Sequence, residues 1–209
     1  MKLLVLGATG ATGRELLVQA LPAGHEVTAF VRNPAALDDL KSRVRVLTGD
    51  ATSVVDLAAA LPGHDAVLSA LGSGKSIRSD IASRAATALT EAAEHSGVRR
   101  AVFLSAFGVG GSLAQGSVMQ RTLYGTVMRS LFADKAVADE VIRASALDWT
   151  LVYPVALTHG PATGTYRSGE KLPMRGLPRM SRADVADFML TAAAGTEWIR
   201  RTAVLSSSR

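Results

Sequence analysis

Three groups of residues carry the chemistry that this sequence offers. Gly7-Ala8-Thr9-Gly10-Ala11-Thr12-Gly13 follows the apolar run Leu3-Leu4-Val5-Leu6 and opens a helical pattern with Leu16, Leu17, Ala20 and Leu21 on one side. Glycines permit a tight turn and a close backbone approach, and the helix start beyond them offers unpaired N–H groups to a pyrophosphate. The spacing G-x-x-G-x-x-G differs from the commoner G-x-G-x-x-G, yet Gly7 can make the turn, Gly10 admit the phosphates, and Gly13 let helix and strand pack closely. Arg32 closes the next apolar run, nineteen residues after Gly13, where a dinucleotide-binding unit reads the adenosine ribose. A forked, permanently charged guanidinium there suits a 2′-phosphate, whereas a reader of the bare hydroxyl is Asp or Glu, so the cofactor expected is NADP (NADPH). Ser105 ends a later apolar run without a G-x-S-x-G elbow or an evident histidine partner. It therefore reads as a hydrogen-bonding group, or as a serine that only ends a strand, and not as a hydrolase nucleophile.

Elements alternate strictly through the first half of the chain. Strand patterns at 3–6, 26–31, 44–47, 65–70 and 98–104 are separated by helical ones, the longest carrying Ile77, Ile81, Ala85, Ala88 and Ala92 at steps of four, four, three and four. Such alternation predicts an α/β fold, a Rossmann doubly wound parallel sheet with right-handed crossovers and helices on both faces. Ligands bind beyond the carboxyl ends of such strands, so Gly7, Arg32, Asp50, Leu71-Gly72 and Ser105 converge on one rim. Asp50 suits either that site or the cap of a turn. The second half predicts a loop over 107–116, helices over 119–132 and 134–146 (the latter with Val137, Val141 and Ile142 on its apolar side), a strand over 149–153 and an excursion over 158–178. A terminal helix over 184–194 and a short strand over 203–205 follow. The expectation is a single domain over 1–209, its substrate rim built from 105–118 and 154–180.

Composition removes other classes. A hydrophobic fraction of 48% with 20% charged residues is that of a globular protein, and the absence of cysteine rules out thiolate chemistry and disulfides and fits a cytoplasmic protein. The net charge of +5 comes from scattered residues, with Arg99-Arg100 and Arg200-Arg201 read as solvated surface or strand flanks, so no nucleic-acid partner is expected. The four histidines are remote from one another and no metal is expected. No segment has the length of a membrane span, and the apolar run after Met1-Lys2 is too short for a secretory leader. The partners expected are a small-molecule substrate and, for assembly, a monomer or small homo-oligomer.

The chain resembles the atypical short-chain dehydrogenase/reductases that bind NAD(P), most closely the group containing biliverdin-IXβ reductase (flavin reductase), and more distantly the NmrA-like proteins. The likeness rests on GATGATG at 7–13, EVTAFVRNP at 26–34, GD at 49–50, DAVLSALG at 65–72, LSAF at 104–107, TGTYR at 163–167 and SRADVADFML at 181–190. It implies that Gly7, Thr9, Gly10, Thr12 and Gly13 cradle the diphosphate, that Arg32 holds the 2′-phosphate, and that Asp50 and Ala51 lie along the adenine. Leu71, Gly72 and Ser73 would follow the adenosine ribose and diphosphate, Ser105 and the Pro154-Val155 backbone would face the nicotinamide, and Phe107 would stand near the substrate. Most members of the wider family use a Tyr-x-x-x-Lys pair. Lys135 stands where such a lysine is expected, as a cofactor contact or a solvated helix residue, but four residues earlier is Leu131, and Tyr124 is followed four later by Met128. The flavin reductase group also lacks the tyrosine. What this implies is an NADPH-dependent oxidoreductase passing hydride to a planar conjugated acceptor (a flavin, tetrapyrrole or quinone); the alternative is a non-catalytic NADP-sensing regulator of the NmrA type.

Overall fold

Short apolar runs become the parallel centre of one sheet: β1 (Lys2–Leu6), β2 (Glu26–Val31), β3 (Arg45–Thr48), β4 (Ala66–Ser69), β5 (Arg100–Leu104) and β6 (Asp148–Pro154). The computed structural model describes residues 1–37, 39–72, 80–116, 129–174 and 176–208. The crossovers carry α1 (Ala11–Ala20), α2 (Val54–Ala60), α3 (Ile81–Ala93) and α4 (Arg129–Ala144). After β6 come β7 (Ala156–Thr158), β8 (Tyr166–Gly169), β9 (Arg179–Ser181), α5 (Arg182–Ala194) and β10 (Arg201–Ser207). The strand order β3-β2-β1-β4-β5-β6-β10-β8 is parallel throughout except for β8, which runs antiparallel to β10, while β7 and β9 form a separate parallel pair. α1 packs against α5, and α2, α3 and α4 pack side by side, so both faces are covered, which is why the strands read as continuous apolar runs. This is the Rossmann-like fold that the alternation predicts.

The chain runs outward from β1 to β3, then returns to place β4 on the other side of β1. That reversal makes the β1/β4 boundary the switch point where doubly wound sheets bind ligands. Two glycines hold it closed. Gly7 has φ +75°, and a Cβ on it would lie 2.7 Å from the Ala70 carbonyl oxygen at the end of β4. A Cβ on Gly13 would lie 2.1 Å from the Gly7 carbonyl oxygen and 2.8 Å from the Ala8 Cα, so α1 starts almost in contact with the turn.

Three expectations need correction. The helix over 129–144 is continuous, with no break near 133, while residues 119–128 lie outside the described ones. Its buried side is Phe132, Lys135, Ala138, Asp139 and Ile142, and Val137 is 53% exposed. The apolar pattern misled because two charged residues occupy the inward face. Arg100 is likewise no surface residue: its guanidinium, pulled down in pKa by burial, donates to Asp148 O at 2.5 Å, Thr150 Oγ1 at 2.7 Å and Ala192 O at 2.6 Å. It ties β5 to β6 and meets an orphan carbonyl in the last turn of α5.

The glycine contacts give a paired test by chemical denaturation. Gly13→Ala must push α1 off β1 and should cost about 1–3 kcal/mol, the usual scale of overpacking. Gly10→Ala meets only Gly7 O at 3.2 Å and should stay within about 0.5 kcal/mol of wild type.

Candidate functional site

The rim begins at the glycine turn. Gly10 caps α1 in an extended conformation (φ −75°, ψ 162°) with no side-chain cap, and the first helical bond is Arg14 N–H to Gly10 O at 2.8 Å. The amides of Ala11, Thr12 and Gly13 therefore have no acceptor within the helix, and the positive end of its dipole faces the switch point. Thr9, Gly10 and Ala11 are exposed, whereas Thr12 is buried and offers the rim its backbone amide. Uncapped donors beside an exposed glycine fit a diphosphate.

Beyond β2 lies a cluster of cations. Arg32 is exposed and makes no hydrogen bond or ion pair among the described residues. Together with Arg84 it acts on Asp50, whose carboxyl is held low first by the Thr52 amide, against burial, then by the Thr52 hydroxyl and the two arginines. Asp50 Oδ1 accepts from Thr52 N and Thr52 Oγ1, both at 2.9 Å, so Asp50 does cap a turn; Ala51 is half-buried beside it. Arg84 donates to Thr52 Oγ1 at 3.3 Å. Arg14 donates to Ala36 O at 3.1 Å and pairs with Asp39, fastening the segment that follows Arg32. Sequence reasoning missed both Arg14 and Arg84. Leu71 is half-buried and Gly72 exposed; a Cβ on Gly72 would meet nothing within 4 Å, and Ser73 lies outside the described residues.

At the other end of the rim Ser105 is 7% exposed and donates to Asp139 Oδ2 at 3.0 Å. The same oxygen accepts from Tyr153 Oη at 2.5 Å, and Tyr153 Oη accepts from Arg143 Nη2 at 2.9 Å. Lys135 is buried beneath Ser105 and donates to Leu104 O at 3.2 Å, so it is not a solvated lysine. Burial pushes the Asp139 carboxyl up, opposed by the two hydroxyls and by the charges of Lys135 and Arg143; burial pulls Lys135 down, opposed by Asp139 and Asp134. Ser69, Leu71, Ser105, Lys135 and Asp139 help to line a cavity of about 30 Å³, room for about one water. Asp139, Tyr153 and Arg143 were not foreseen. The available signal was Lys135 and Asp139 at i and i+4, in step with Phe132, Ala138 and Ile142.

Three residues placed by resemblance sit differently. The Phe107 ring, expected near the substrate, is 1% exposed and packs in the core beneath the rim. Val155 is buried and its N–H already donates to Leu205 O at 3.1 Å, while Pro154 O accepts from Phe107 N–H at 2.9 Å. That backbone is occupied by the sheet and has no N–H left to offer a nicotinamide.

The excursion over the rim is held by one carboxylate. Asp184, in the first turn of α5, accepts from Thr163 N at 2.6 Å, Gly164 N at 3.0 Å, Thr163 Oγ1 at 3.0 Å and Ser181 Oγ at 2.8 Å. One turn on, Asp187 accepts from Tyr166 Oη at 2.7 Å. This explains why TGTYR and SRADVAD occur together: the second ties down the first. Among the described residues no group of three metal-ligating side chains is found, and no helix is long and apolar enough to cross a membrane.

The chain is similar to known NAD(P)H-binding proteins. A family model described as NAD(P)H-binding matches residues 7–195. The "uncharacterized sugar epimerase" YhfK of Bacillus subtilis is 30% identical over 200 residues, 92% of this chain and 87% of that protein. The anaerobilin reductase ChuY of Escherichia coli O157:H7 superposes with TM-score 0.82 at 25% identity, covering 100% of this chain and 98% of that one. A short-chain dehydrogenase/reductase of Veillonella parvula, solved with NADP, shares the fold at TM-score 0.79 and 20% identity, covering 99% and 94%.

The Asp184 tie gives a pH test. Burial works against its charge, but the donors of Ser181, Thr163 and Gly164 together hold its carboxyl below the usual carboxylate range. Its contribution to stability is therefore complete above the ordinary carboxylate pKa and lost as pH falls through the lowered one. Asp184→Asn should be less stable than wild type at neutral pH, and the gap should narrow as the solution is acidified, measured by denaturant unfolding at a series of pH values.

Proposed function

Since the chain belongs to the family of NAD(P)H-binding proteins, we propose that it is an NADPH-dependent reductase acting on a planar conjugated acceptor of the flavin, tetrapyrrole or quinone type. The fit of the site supports the cofactor. The free amides of Ala11 to Gly13 hold the diphosphate, and Arg32, exposed and unpaired among the described residues, takes the 2′-phosphate, with Arg84 adding to the positive field. When bound, the dihydronicotinamide supplies the hydride. The chain binds it, orients it beside Ser105 and leaves the acceptor a face to stack on.

One observation carries the choice of acceptor: both described tyrosine hydroxyls are committed to carboxylates, Tyr153 to Asp139 and Tyr166 to Asp187. Burial and those anions push both phenols well above their ordinary range, so neither is an acid at neutral pH. The Ser105 hydroxyl proton also points to Asp139. Reduction of an isolated ketone concentrates charge on one oxygen and needs an acid placed there. A conjugated ring system spreads that charge and takes its proton from solvent afterwards. The anaerobilin reductase among the structural neighbours supports this choice. The epimerase name of the Bacillus relative points instead to oxidation of a sugar hydroxyl, which needs a base at that hydroxyl; neither described tyrosine can serve.

Two measurements test this. Arg32→Asp should weaken NADPH binding about 10- to 100-fold, the worth of a charge-assisted hydrogen bond, while NADH binding changes little; equal losses remove Arg32 from the phosphate site. NADPH oxidation assayed with flavins, linear tetrapyrroles, quinones and simple carbonyls should show kcat/KM for the best conjugated acceptor at least about 100-fold above that for aliphatic ketones, the usual contribution of a missing general acid. Tight NADPH binding with no turnover of any of them would make the protein a cofactor sensor.

A further inference from the structure

The direction of the hydrogen bonds from Arg143 through Tyr153 to Asp139 is fixed from the far end. Arg143 has only donors, so the Tyr153 oxygen must accept from it, at 2.9 Å. The phenolic proton is then left for Asp139 Oδ2, at 2.5 Å. Ser105 Oγ reaches the same oxygen at 3.0 Å. An ionised carboxylate has no proton to give, so the serine proton also points inward. Among the described residues, the charged groups facing Asp139 are Lys135, which donates to Leu104 O, and Arg143, with Asp134 acting on Lys135; Tyr153 faces it from β6 and Ser105 from the residue after β5, and the cavity wall from α3 is Ala82, Ala85 and Ala86. Burial raises the Asp139 carboxyl, and the two hydroxyl donors and the charges of Lys135 and Arg143 oppose that rise in favour of the carboxylate.

We propose that Asp139, oriented by Tyr153 and Arg143, is a positioning residue that turns the Ser105 hydroxyl inward, so that Ser105 meets the nicotinamide carboxamide as an acceptor for its N–H and not as a proton donor. This rests on the reductase reading. Ser105 then helps to select the face and rotation of the ring without giving a proton to the acceptor. Asp139 touches neither cofactor nor acceptor and acts only through the serine.

The test uses binding to the full chain, read by calorimetry. The ligands are NADP⁺ and its 3-acetylpyridine analogue, which keeps the carbonyl and replaces the amide NH₂ by a methyl group. Wild type should prefer NADP⁺ about three- to tenfold, the worth of one neutral hydrogen bond. Ser105→Ala and Asp139→Ala should each bring that ratio close to one, and the double variant should lose no more than either alone. The fragment 2′,5′-ADP, which has no nicotinamide, should bind all four proteins equally. A wild-type ratio near one, or a ratio kept in Asp139→Ala and lost in Ser105→Ala, overturns the proposal. Failure of wild type to bind 2′,5′-ADP or NADP⁺ overturns the reductase reading beneath it. If Asp139→Ala does not fold, Ser105→Ala and the pH dependence of the wild-type ratio decide. Protonation of Asp139 lets it donate to Ser105, and burial raises that carboxyl, so the ratio should fall toward one as pH is lowered through a range above the ordinary carboxylate one. The 2′-phosphate titrates alike in both ligands and cancels. A ratio that does not change while the protein remains folded overturns the proposal.

Discussion

The contact between Gly13 and the Gly7 carbonyl sets the geometry on which the site depends. With no side chain at either position, α1 begins directly over the end of β1, and β1 lies directly against β4. A Cβ at Gly13 would overlap the Gly7 oxygen, so any larger residue moves the helix away from the sheet. The three free amides of the first turn are thereby delivered to the switch point, where the strand order reverses. The glycine run is thus a packing constraint first and an anion site as its consequence.

The rest of the rim is fixed by buried or half-buried charge. Asp134 accepts from Ala82 N at 3.0 Å and Ser83 N at 3.2 Å, supplying from α4 the cap that α3 does not provide for itself. Asp139 gathers two hydroxyls under Ser105, and Asp184 pins the 163–165 segment to the start of α5. Each of these carboxylates sits on a helix and fastens something outside that helix. Removing one would leave backbone amides or hydroxyls without acceptors, a larger loss than that of the bonds themselves. The rim is therefore preorganised by interactions that reach across the sequence.

Those long-range ties separate what the sequence reveals from what it hides. Strand-helix alternation, the glycine turn and the position of Arg32 are local signals, set by periodicity, sterics and spacing, and they can be read residue by residue. The buried face of α4 cannot be read that way. Lys135 and Asp139 count as polar in any periodic pattern, yet each is buried because it has partners on β5 and β6. The short polar run Tyr166–Gly169 shows no strand period and becomes β8 only because the edge of β10 is there to pair with it. Phe107, placed near the substrate by the family resemblance, has its N–H on Pro154 O and its ring in the core.

The central claim, that one rim from Arg32 through the start of α1 to Ser105 holds NADPH, is tested most directly by a crystal structure of the protein grown with NADP⁺. The account predicts the 2′-phosphate on the Arg32 guanidinium, the diphosphate on the amides of Ala11 to Gly13, and the nicotinamide carboxamide within hydrogen-bond distance of Ser105 Oγ. A diphosphate bound away from the α1 N-terminus, or a 2′-phosphate facing solvent with Arg32 uninvolved, would contradict it.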